Sequence, residues 1–413
     1  MAERCDLLVK NGHVIALAGG LRRGRAMNDL GAIAKGAIAI SGSTIVWVGK
    51  SSESSIFRAE EVVDAEGRLV VPGFVDPHTH LIFAGSREHE LTMKLEGMSY
   101  LEIMKAGGGI HSTTRRTRDA TLENLVEQSV ARAERMIAMG TTTLEAKSGY
   151  CLETEGEIKM LRAAVEVGKR TGLDVVPTFL GAHAVPPEFA DAEQYTEHII
   201  KEMIPRVARE GIARFCDVFC EEGVFDIQQS ERILRAAEAH GMGLKLHADE
   251  FAPLGGGRLA ARLGAISADH LLATPKEDYP VMARAGVIGV LLPAVPYVTM
   301  SERVPDAMGM IDAGMPIALA TDLNPNCWLE SMQMVISLAC YRMRMTPSEA
   351  LCGATINAAH AIGMGDRVGS IEPGKQADLL MLDVHNVDSI PYRWGGNLVK
   401  RVWKRGKEMV WRE

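Results

Sequence analysis

Hydrophobic and polar residues follow three different patterns along the chain. From residue 6 to about residue 70, short apolar runs are separated by turn-forming residues, which predicts strands and hairpins. We expect one hairpin turn at Asn11 and Gly12 and another at Gly42. From Gly73 onward, β-rich apolar runs alternate with segments of helical periodicity, and after about residue 365 the pattern of short strands returns.

Eight apolar runs in the middle region predict buried strands, and most of them are separated by segments that are compatible with helices. One such segment, from Leu122 to Ile137, presents apolar residues on one helical face and is followed by Gly140, which suits the end of a helix. Eight strands, each followed by a helix, predict an α/β fold, a (β/α)8 barrel of the TIM type. The predicted strands are GFVDPHTH, TTTLEAKS, DVVPTFLGAH, FCDVFCEE, GLKLHADE, AISADHLL, VIGVLLPAV and PIALATDLNP.

The β-rich regions at the two ends of the chain predict a second, smaller domain. The simplest topology inserts the barrel between the two halves of one β domain. We therefore expect residues 1–70 and 366–413 to form a small composite β-sandwich, and residues 71–365 to form the barrel with the active site. The length of 413 residues agrees with a large barrel plus an additional domain.

Composition and charge argue against several classes of function. Hydrophobic residues make up 47% of the chain and charged residues 24%, as is usual for a globular enzyme. The net charge of −8 argues against a nucleic acid or an anionic membrane as the main partner. The first residues lack the apolar segment of a signal peptide, and the apolar stretch from Gly286 is too short to span a bilayer. The seven cysteines form no C-x-x-C pair, which favours reduced thiols and a cytoplasmic location.

Residues with reactive side chains collect at the carboxyl ends of the predicted strands, where barrel enzymes place their active sites. His78 and His80 lie two positions apart, so both side chains point to the same side of an extended strand. A lone His-x-His pair is more often structural, but His247 and Asp322 stand at matching strand ends. Three imidazoles and a carboxylate suit Zn²⁺ or Fe²⁺, which lowers the pKa of a coordinated water to about 7. The sequence therefore predicts one divalent metal ion at these four residues.

Two further residues at strand ends are candidates for acid–base chemistry. Glu250 and His270 are placed to orient a nucleophile or to stabilise an oxyanion, and Asp322 can accept a proton from water. The alternatives are a satisfied core histidine at position 270 and a solvated acid at position 250. The histidines that lie away from strand ends are interpreted as surface or structural residues; they are His89, His111, His198, His240 and His360.

A glycine run at positions 107 to 109 does not follow a strand in a GxGxxG pattern, so we reject a dinucleotide site. We interpret residues 105–115 as a mobile loop over the mouth of the barrel.

Several motifs resemble the metal-dependent amidohydrolase superfamily and, within it, the imidazolonepropionase family. The resemblance covers residues 70 to 375 and implies hydrolysis of 4-imidazolone-5-propanoate to N-formimidoyl-L-glutamate in histidine degradation. It also implies a small-molecule substrate and a homodimer. The motifs are HTHLIFAGSREHE, MSYLEIMKAGGGIHST, EAKSGYCLETEGEIKML, FLGAHAVPPE, KLHADEF, SADHL, LLPAVPY and ATDLNP.

The resemblance implies a role for individual residues in substrate binding. Arg87 would pair with the propionate carboxylate through its planar fork, and Tyr100 would help to hold that carboxylate. Tyr150 and His183 would bind the imidazolone ring, and Asn324 would bind the formimidoylglutamate portion of the product.

The remaining implied roles belong to the reacting centre. Glu250 would contact the ring nitrogens and the nucleophile, and His270 would assist at the reacting carbonyl. The chain departs from the family pattern at Asn326 and Cys327, where many relatives have glycine followed by serine or threonine. Asn tolerates a positive φ next best to glycine, but a thiol is a weaker hydrogen-bond partner than a hydroxyl. The substitutions therefore bear on substrate contacts rather than on the metal ligands.

Two other functions remain open from the residues alone. One is an amidohydrolase or deaminase that acts on another small carboxylate-bearing heterocycle; Arg87 argues against a neutral nucleobase. A two-metal hydantoinase is disfavoured because Lys147 lies on the second strand and not on the fourth. The other is a binding protein that retains the barrel without catalysis, which the metal quartet argues against.

Overall fold

The computed structural model describes residues 2–98, 102–103 and 107–411. In these residues, strands β1 to β16 span Glu3–Ile15, Ala32–Ser41, Thr44–Lys50, Phe57–Asp64, Leu69–Pro72, Phe74–Asp76, Thr141–Lys147, Asp174–Ala182, Phe215–Cys220, Gly243–Ala248, Ser267–His270, Ile288–Leu291, Ile317–Leu319, Leu379–Leu382, Val399–Lys404 and Lys407–Trp411.

The α-helices of the described residues span His89–Leu95, Gly109–Asp119, Leu122–Ala138, Thr154–Thr171, Ala192–His198, Ile204–Glu210, Ile227–Ala239, Gly256–Leu263, Tyr279–Ala285, Val295–Val298, Ala307–Asp312, Met332–Met343, Pro347–Gly353, Ile356–Ala361 and Ser389–Tyr392. Short 3₁₀ segments cover Gly24–Asn28, Ser51–Ile56 and Lys276–Asp278, and a π-helical turn covers Ile199–Met203. None of the helices in the described part of the chain combines the length and the apolar character that a membrane span requires.

The central strands β6 to β13 form one parallel sheet of eight strands in which each strand pairs with the next along the chain. The first and last strands meet just beyond their ends, where Thr79 pairs with Leu323 and the N–H of His80 donates to the carbonyl oxygen of Leu323 at 2.8 Å. All eight predicted strands are present. This arrangement confirms the predicted (β/α)8 barrel.

The helix Leu122–Ala138 shows why the segments between strands fold on the outside of the barrel. Thr121 caps it by accepting a hydrogen bond from the N–H of Asn124, and its buried face carries Leu125 and Met136. Gly140 follows with φ of +101°, a conformation that an L side chain rarely adopts, and the chain turns directly into β7. The predicted helix and its glycine end are confirmed.

The strands from the two chain ends form a second sheet, with the order β16-β15-β14-β5-β1-β2-β3 and with β4 paired to β1. Its two halves join where β14 pairs antiparallel with β5, so that Leu379 faces Pro72. An apolar core that includes Val9, Ile38 and Trp403 lies between strands from both chain ends. This confirms a sheet domain built from both ends of the chain.

The predicted hairpin at Asn11 and Gly12 is wrong, whereas the hairpin at Gly42 is confirmed. Residues Glu3–Ile15 form one strand, whose first part pairs with β4 and whose last part pairs with β5. Asn11 adopts φ of 57° at a register irregularity, and its side chain donates to the carboxylate of Asp64 at 2.8 Å. An Asn-Gly pair thus produces a bulge here rather than a turn, because a second partner strand continues the pairing.

The expected loop at 105–115 is helical where the structure describes it. Gly107 and Gly108 precede the helix Gly109–Asp119, and the N–H of Gly109 donates to a carboxylate oxygen of Glu90 at 2.7 Å. Residues 105 and 106 lie outside the described residues. Polar contact with a buried acid therefore starts a helix where the glycine run predicted an irregular segment.

Arg132 ties the segment after the HTH motif to the outer helix Leu122–Ala138. Its side chain is buried and donates to the carbonyl oxygens of Leu81 at 2.7 Å and Phe83 at 2.8 Å. The guanidinium also lies 3.6 Å from the centroid of the Phe83 ring.

We expect Arg132→Ala to lower the free energy of unfolding by about 3 kcal/mol, because two buried carbonyl groups would lose their donor. Urea unfolding followed by circular dichroism measures this difference. The matched control is Arg135→Ala on the same helix, whose exposed side chain pairs with Glu330; we expect it to cost less than about 1 kcal/mol. Equal losses in both variants would contradict the role given to Arg132.

Candidate active site

Four side chains predicted as metal ligands converge at the carboxyl ends of the barrel strands. His78 Nε2 and His80 Nε2 each lie 3.6 Å from Asp322 Oδ1, and His247 Nε2 lies 3.5 Å from His80 Nε2. The four side chains come from three segments that are far apart in sequence, at the ends of strands β6, β10 and β13. The structure therefore brings together every member of the predicted quartet.

Donor atoms of His78, His80 and Asp322 lie within 4.8 Å of one another, as binding of one ion requires, and His247 Nε2 lies beside His80 Nε2. A tetrahedral ion with bonds of about 2.1 Å has ligand atoms about 3.4 Å apart, close to the observed separations. Nε2 of His78 is buried and has no hydrogen-bond partner in the described residues, as expected of an atom reserved for a ligand. Burial and neighbouring cations hold the pKa values of His78 and His80 well below the usual range, which keeps both imidazoles neutral. Neutral imidazole is the form that binds a metal.

Two buried aspartates orient the imidazoles from behind. Nδ1 of His78 lies 2.6 Å from Asp269 Oδ2, and Nδ1 of His247 lies 3.0 Å from Asp217 Oδ2. Asp217 also accepts a hydrogen bond from the backbone N–H of His247 at 3.0 Å. A carboxylate at Nδ1 fixes the tautomer in which Nε2 carries the free lone pair. The aspartates thus set the direction in which each histidine presents Nε2.

Two buried lysines hold these aspartates in place. Lys147 Nζ lies 2.7 Å from Asp217, 2.9 Å from Glu145 and 3.3 Å from Asp269, and all four side chains are fully buried. Lys245 Nζ lies 2.8 Å from Glu145 and donates to the carbonyl oxygen of Pro77 at 3.0 Å. Although burial opposes its charge, the carboxylates raise the pKa of Lys147 above its ordinary value. We call these five side chains the barrel charge network.

His270 and Glu250 lie beside the quartet, with His270 Nε2 3.6 Å from Glu250 Oε2. Burial and the nearby Asp322 raise the pKa of Glu250 well above its usual range. His270 and Asp322 adopt φ of 77° and 54°, in the left-handed region that non-glycine residues seldom occupy. This strained backbone turns both side chains toward one point at the end of the barrel.

Three members of the quartet, His80, His247 and Asp322, line a cavity of about 760 Å³. Arg87, Tyr150 and His183 line it, as do Asn324 and Asn326. The ring of His183 stacks on His80 with centroids 4.9 Å apart, and its Nδ1 lies 3.0 Å from the carbonyl oxygen of Gly149. Burial lowers the pKa of His183 to about 3, so the ring stays neutral.

Arg87 is already engaged by an acid of the protein. Its Nε and Nη2 donate to Glu90 at 2.9 and 2.7 Å, and both side chains are buried. Tyr100, the other residue implied for the carboxylate, lies outside the described residues.

The segment after Asp322 is a turn organised by Asn324. The Asn324 side chain accepts from the N–H groups of Asn326 at 2.7 Å and Cys327 at 3.0 Å, and donates to the carbonyl oxygen of Asp322 at 2.8 Å. The Cys327 thiol is buried, 3.7 Å from the carbonyl oxygen of Thr321. Cys327 is not among the residues that line the cavity, so the expected contact with substrate has no support in this geometry.

Sequence reasoning missed several residues of the site. His111, interpreted as surface or structural, lines the cavity because its helix begins at Gly109. Lys94 also lines the cavity and had no motif to mark it. Asp217 did carry a signal, since an acid in the middle of the buried strand FCDVFC needs a partner inside the barrel.

Comparisons with known proteins agree with this fold and site. The sequence matches the profile of the Amidohydrolase family over residues 69–409. The chain therefore belongs to the amidohydrolase family. An adenosine deaminase from Xanthomonas campestris with bound zinc superposes with a TM-score of 0.76 at 20% identity, over 100% of this chain and 94% of that one. Guanine deaminase from E. coli gives 0.75 at 16% identity, over 98% and 99%. At such identities, the likeness concerns the fold alone.

Relatives with higher sequence identity show which family within the amidohydrolases the chain belongs to. Imidazolonepropionase from Geobacillus kaustophilus (strain HTA426) is 52% identical over 391 residues, or 93% of this chain and 92% of the relative. Imidazolonepropionase from Alkaliphilus metalliredigens (strain QYMF) is 45% identical over 413 residues, or 98% of both chains. Within the amidohydrolases, the chain belongs to the imidazolonepropionase family, which confirms the resemblance drawn from the motifs.

We expect Asp217→Asn to weaken binding of a divalent ion by about 10- to 100-fold, because His247 would lose the charge that fixes its tautomer. Competition between protein and a chromophoric chelator measures the affinity. Asp226→Asn is the control, since Asp226 caps an outer helix and Asn also serves as a cap. An unchanged affinity in folded Asp217→Asn protein would contradict the orienting role.

Proposed function

We propose that the protein hydrolyses 4-imidazolone-5-propanoate to N-formimidoyl-L-glutamate in histidine degradation. The observation that carries the proposal is the convergence of three imidazoles and a carboxylate beside a cavity that Arg87 also lines, in a member of the imidazolonepropionase family. Water adds across the ring amide: the carbonyl carbon gains the oxygen, the C–N bond breaks, and the nitrogen gains a proton.

One divalent ion, Zn²⁺ or Fe²⁺, would be held by His78, His80, His247 and Asp322. When bound, such an ion supplies Lewis-acid activation of water and of the carbonyl oxygen at neutral pH. The proposal is supported by the donor separations of 3.5 to 3.6 Å and by imidazole as a ligand common to both metals.

The side chains of this chain move the protons and hold the substrate. Asp322 accepts a proton from the attacking water and returns it to the leaving nitrogen. His270 stabilises the oxyanion that develops on the carbonyl oxygen, and Glu250 contacts the ring nitrogens. These roles are supported by the separation of 3.6 Å between His270 and Glu250 and by their position beside the quartet.

Other residues of the cavity bind the imidazolone ring and the propionate group of the substrate. Tyr150 and His183, whose rings lie 5.2 Å apart, contact the imidazolone ring from one side. Arg87 and Tyr100 bind the carboxylate, and Asn324 contacts the formimidoylglutamate portion of the product.

The alternative is a related hydrolase or deaminase for another small carboxylate-bearing heterocycle. It is favoured by Asn326 and Cys327, where the sequence departs from the family pattern. The cavity of about 760 Å³ would accept such a substrate.

We also propose a cellular location, an oligomeric state and a division into domains. A cytoplasmic location is supported by seven free cysteines, most of them buried. A homodimer is supported by family resemblance, and light scattering of the purified protein would test it. We further propose residues 71–365 as the catalytic barrel and residues 1–70 with 366–413 as its supporting domain.

Purified protein given freshly prepared 4-imidazolone-5-propanoate should consume the ring absorbance and form N-formimidoyl-L-glutamate. Dialysis against a chelator should abolish this loss, and re-addition of Zn²⁺ or Fe²⁺ should restore it. No loss in protein shown by elemental analysis to contain metal would contradict the proposed substrate and favour the alternative.

Asp322→Ala should reduce kcat by at least about a thousandfold, because it removes both a ligand and the proton acceptor. Single-turnover absorbance measurements would follow the reaction. Asp366→Ala, outside the predicted barrel, is a matched control for loss of an acid. Near-normal kcat in Asp322→Ala protein would refute the assigned role.

A further inference from the structure

The described lining of the cavity contains more carboxyl groups than Lys and Arg cations. It includes the carboxylates of Glu221, Glu222, Glu250 and Asp322 and the cations of Arg87 and Lys94. A carboxylate-bearing substrate needs a cation there whose charge is not already balanced, because an unpaired charge in a partly buried site is costly.

Arg87 has its charge balanced within the protein. The bidentate contact with Glu90 uses two edges of the guanidinium, and Glu90 also accepts the N–H of Gly109 at 2.7 Å. Breaking this pair to receive a substrate would leave the buried Glu90 carboxylate without its cation. The charge of Arg87 is therefore largely neutralised by Glu90 before a substrate binds.

Lys94 differs from Arg87 in its partners. Its Nζ donates to the carbonyl oxygen of Val298 at 3.0 Å and to the side-chain oxygen of Asn326, and both acceptors are neutral. Among the described residues, no carboxylate forms an ion pair with it. Burial and the neighbouring Arg87 lower the pKa of Lys94, and the Glu90 carboxylate opposes this shift without forming an ion pair with Lys94. The third donor of the ammonium group is available to a ligand.

Hydrogen bonds fix Lys94 relative to the reacting centre. Asn326, which accepts from Lys94, donates its own N–H to Asn324 at 2.7 Å, and Asn324 donates to the carbonyl oxygen of Asp322 at 2.8 Å. A charge on Lys94 is thus held at a constant position with respect to the metal-ligand segment. This is the geometry needed to place one end of a substrate while the other end reacts.

We propose that Lys94, positioned by Asn326, binds the carboxylate of the substrate and makes the site specific for anionic heterocycles. The inference rests on the proposed function for the identity of the substrate. It assigns Asn326 a role that the sequence alone left open: its side-chain oxygen orients the ammonium group.

The test compares an acid with its neutral amide. We would measure kcat/KM of the metal-loaded enzyme for 4-imidazolone-5-propanoate and for the corresponding propanamide. Lys94→Met should lower kcat/KM for the acid by about tenfold or more, mainly through KM, and change the value for the amide by less than about twofold. Lys169→Met removes a charge from an exposed helix position and should leave both values unchanged.

Asn326→Asp is a second variant that keeps the shape of the side chain. It places a carboxylate against Lys94, so it should lower kcat/KM for the acid more than for the amide. This variant keeps the test valid if Lys94→Met folds poorly. Equal losses for acid and amide, or no change in their ratio, in either folded variant would overturn the proposal.

A binding measurement separates this inference from the proposed function. Calorimetry with imidazole-4-propanoate and its amide needs no turnover. If the wild type fails to hydrolyse the imidazolone but binds the acid more tightly than the amide, and Lys94→Met loses that preference, only the proposed function fails. If the wild type turns over the substrate and Lys94→Met keeps the full preference for the acid, only the role of Lys94 fails.

Discussion

The barrel charge network is the constraint on which both the fold and the site depend. Three carboxylates and two ammonium groups, all fully buried, share the interior of the barrel at separations of 2.7 to 3.9 Å. Such charges are tolerated away from water only when each has a partner of opposite sign. Asp217 and Asp269 also contact the imidazoles of His247 and His78, respectively. The contacts that stabilise the interior therefore also orient two of the proposed ligands, and a change in one affects the other.

The site combines residues at strand ends with residues on a helix and a turn. The proposed ligands stand at strand ends, where parallel pairing on both sides fixes the backbone, and strained φ values at His270 and Asp322 are maintained by this surrounding structure. Lys94, which we propose to bind the substrate carboxylate, instead lies on a short helix, His89–Leu95, and its partner Asn326 lies in the turn organised by Asn324. Chemistry on strands and specificity on loops is the usual division in barrels of this type. Under our proposal, a substitution at Asn326 would change substrate selection without moving the proposed metal ligands.

Much of this was predictable because the signals are local. Short apolar, β-rich runs identified the barrel strands, and the spacing of His78 and His80 predicted that both face one way. The hairpin at Asn11 was predicted wrongly because the turn signal is also local. It does not show that β4 and β5 both pair with the strand that contains Asn11. His111 was misplaced because the acid that starts its helix, Glu90, lies 19 residues earlier.

The sequence by itself determined the order of strands and helices, the residue types available for a metal, and the family. These follow from periodicity and from motifs whose members lie within a few positions of each other. Only the tertiary structure decided which charges meet. Asp269 reaches His78 across 191 positions, and Asn326 reaches Lys94 across 232. Such pairs are created when the barrel closes and brings distant strand ends within hydrogen-bonding distance, and no local pattern in the chain records that distance.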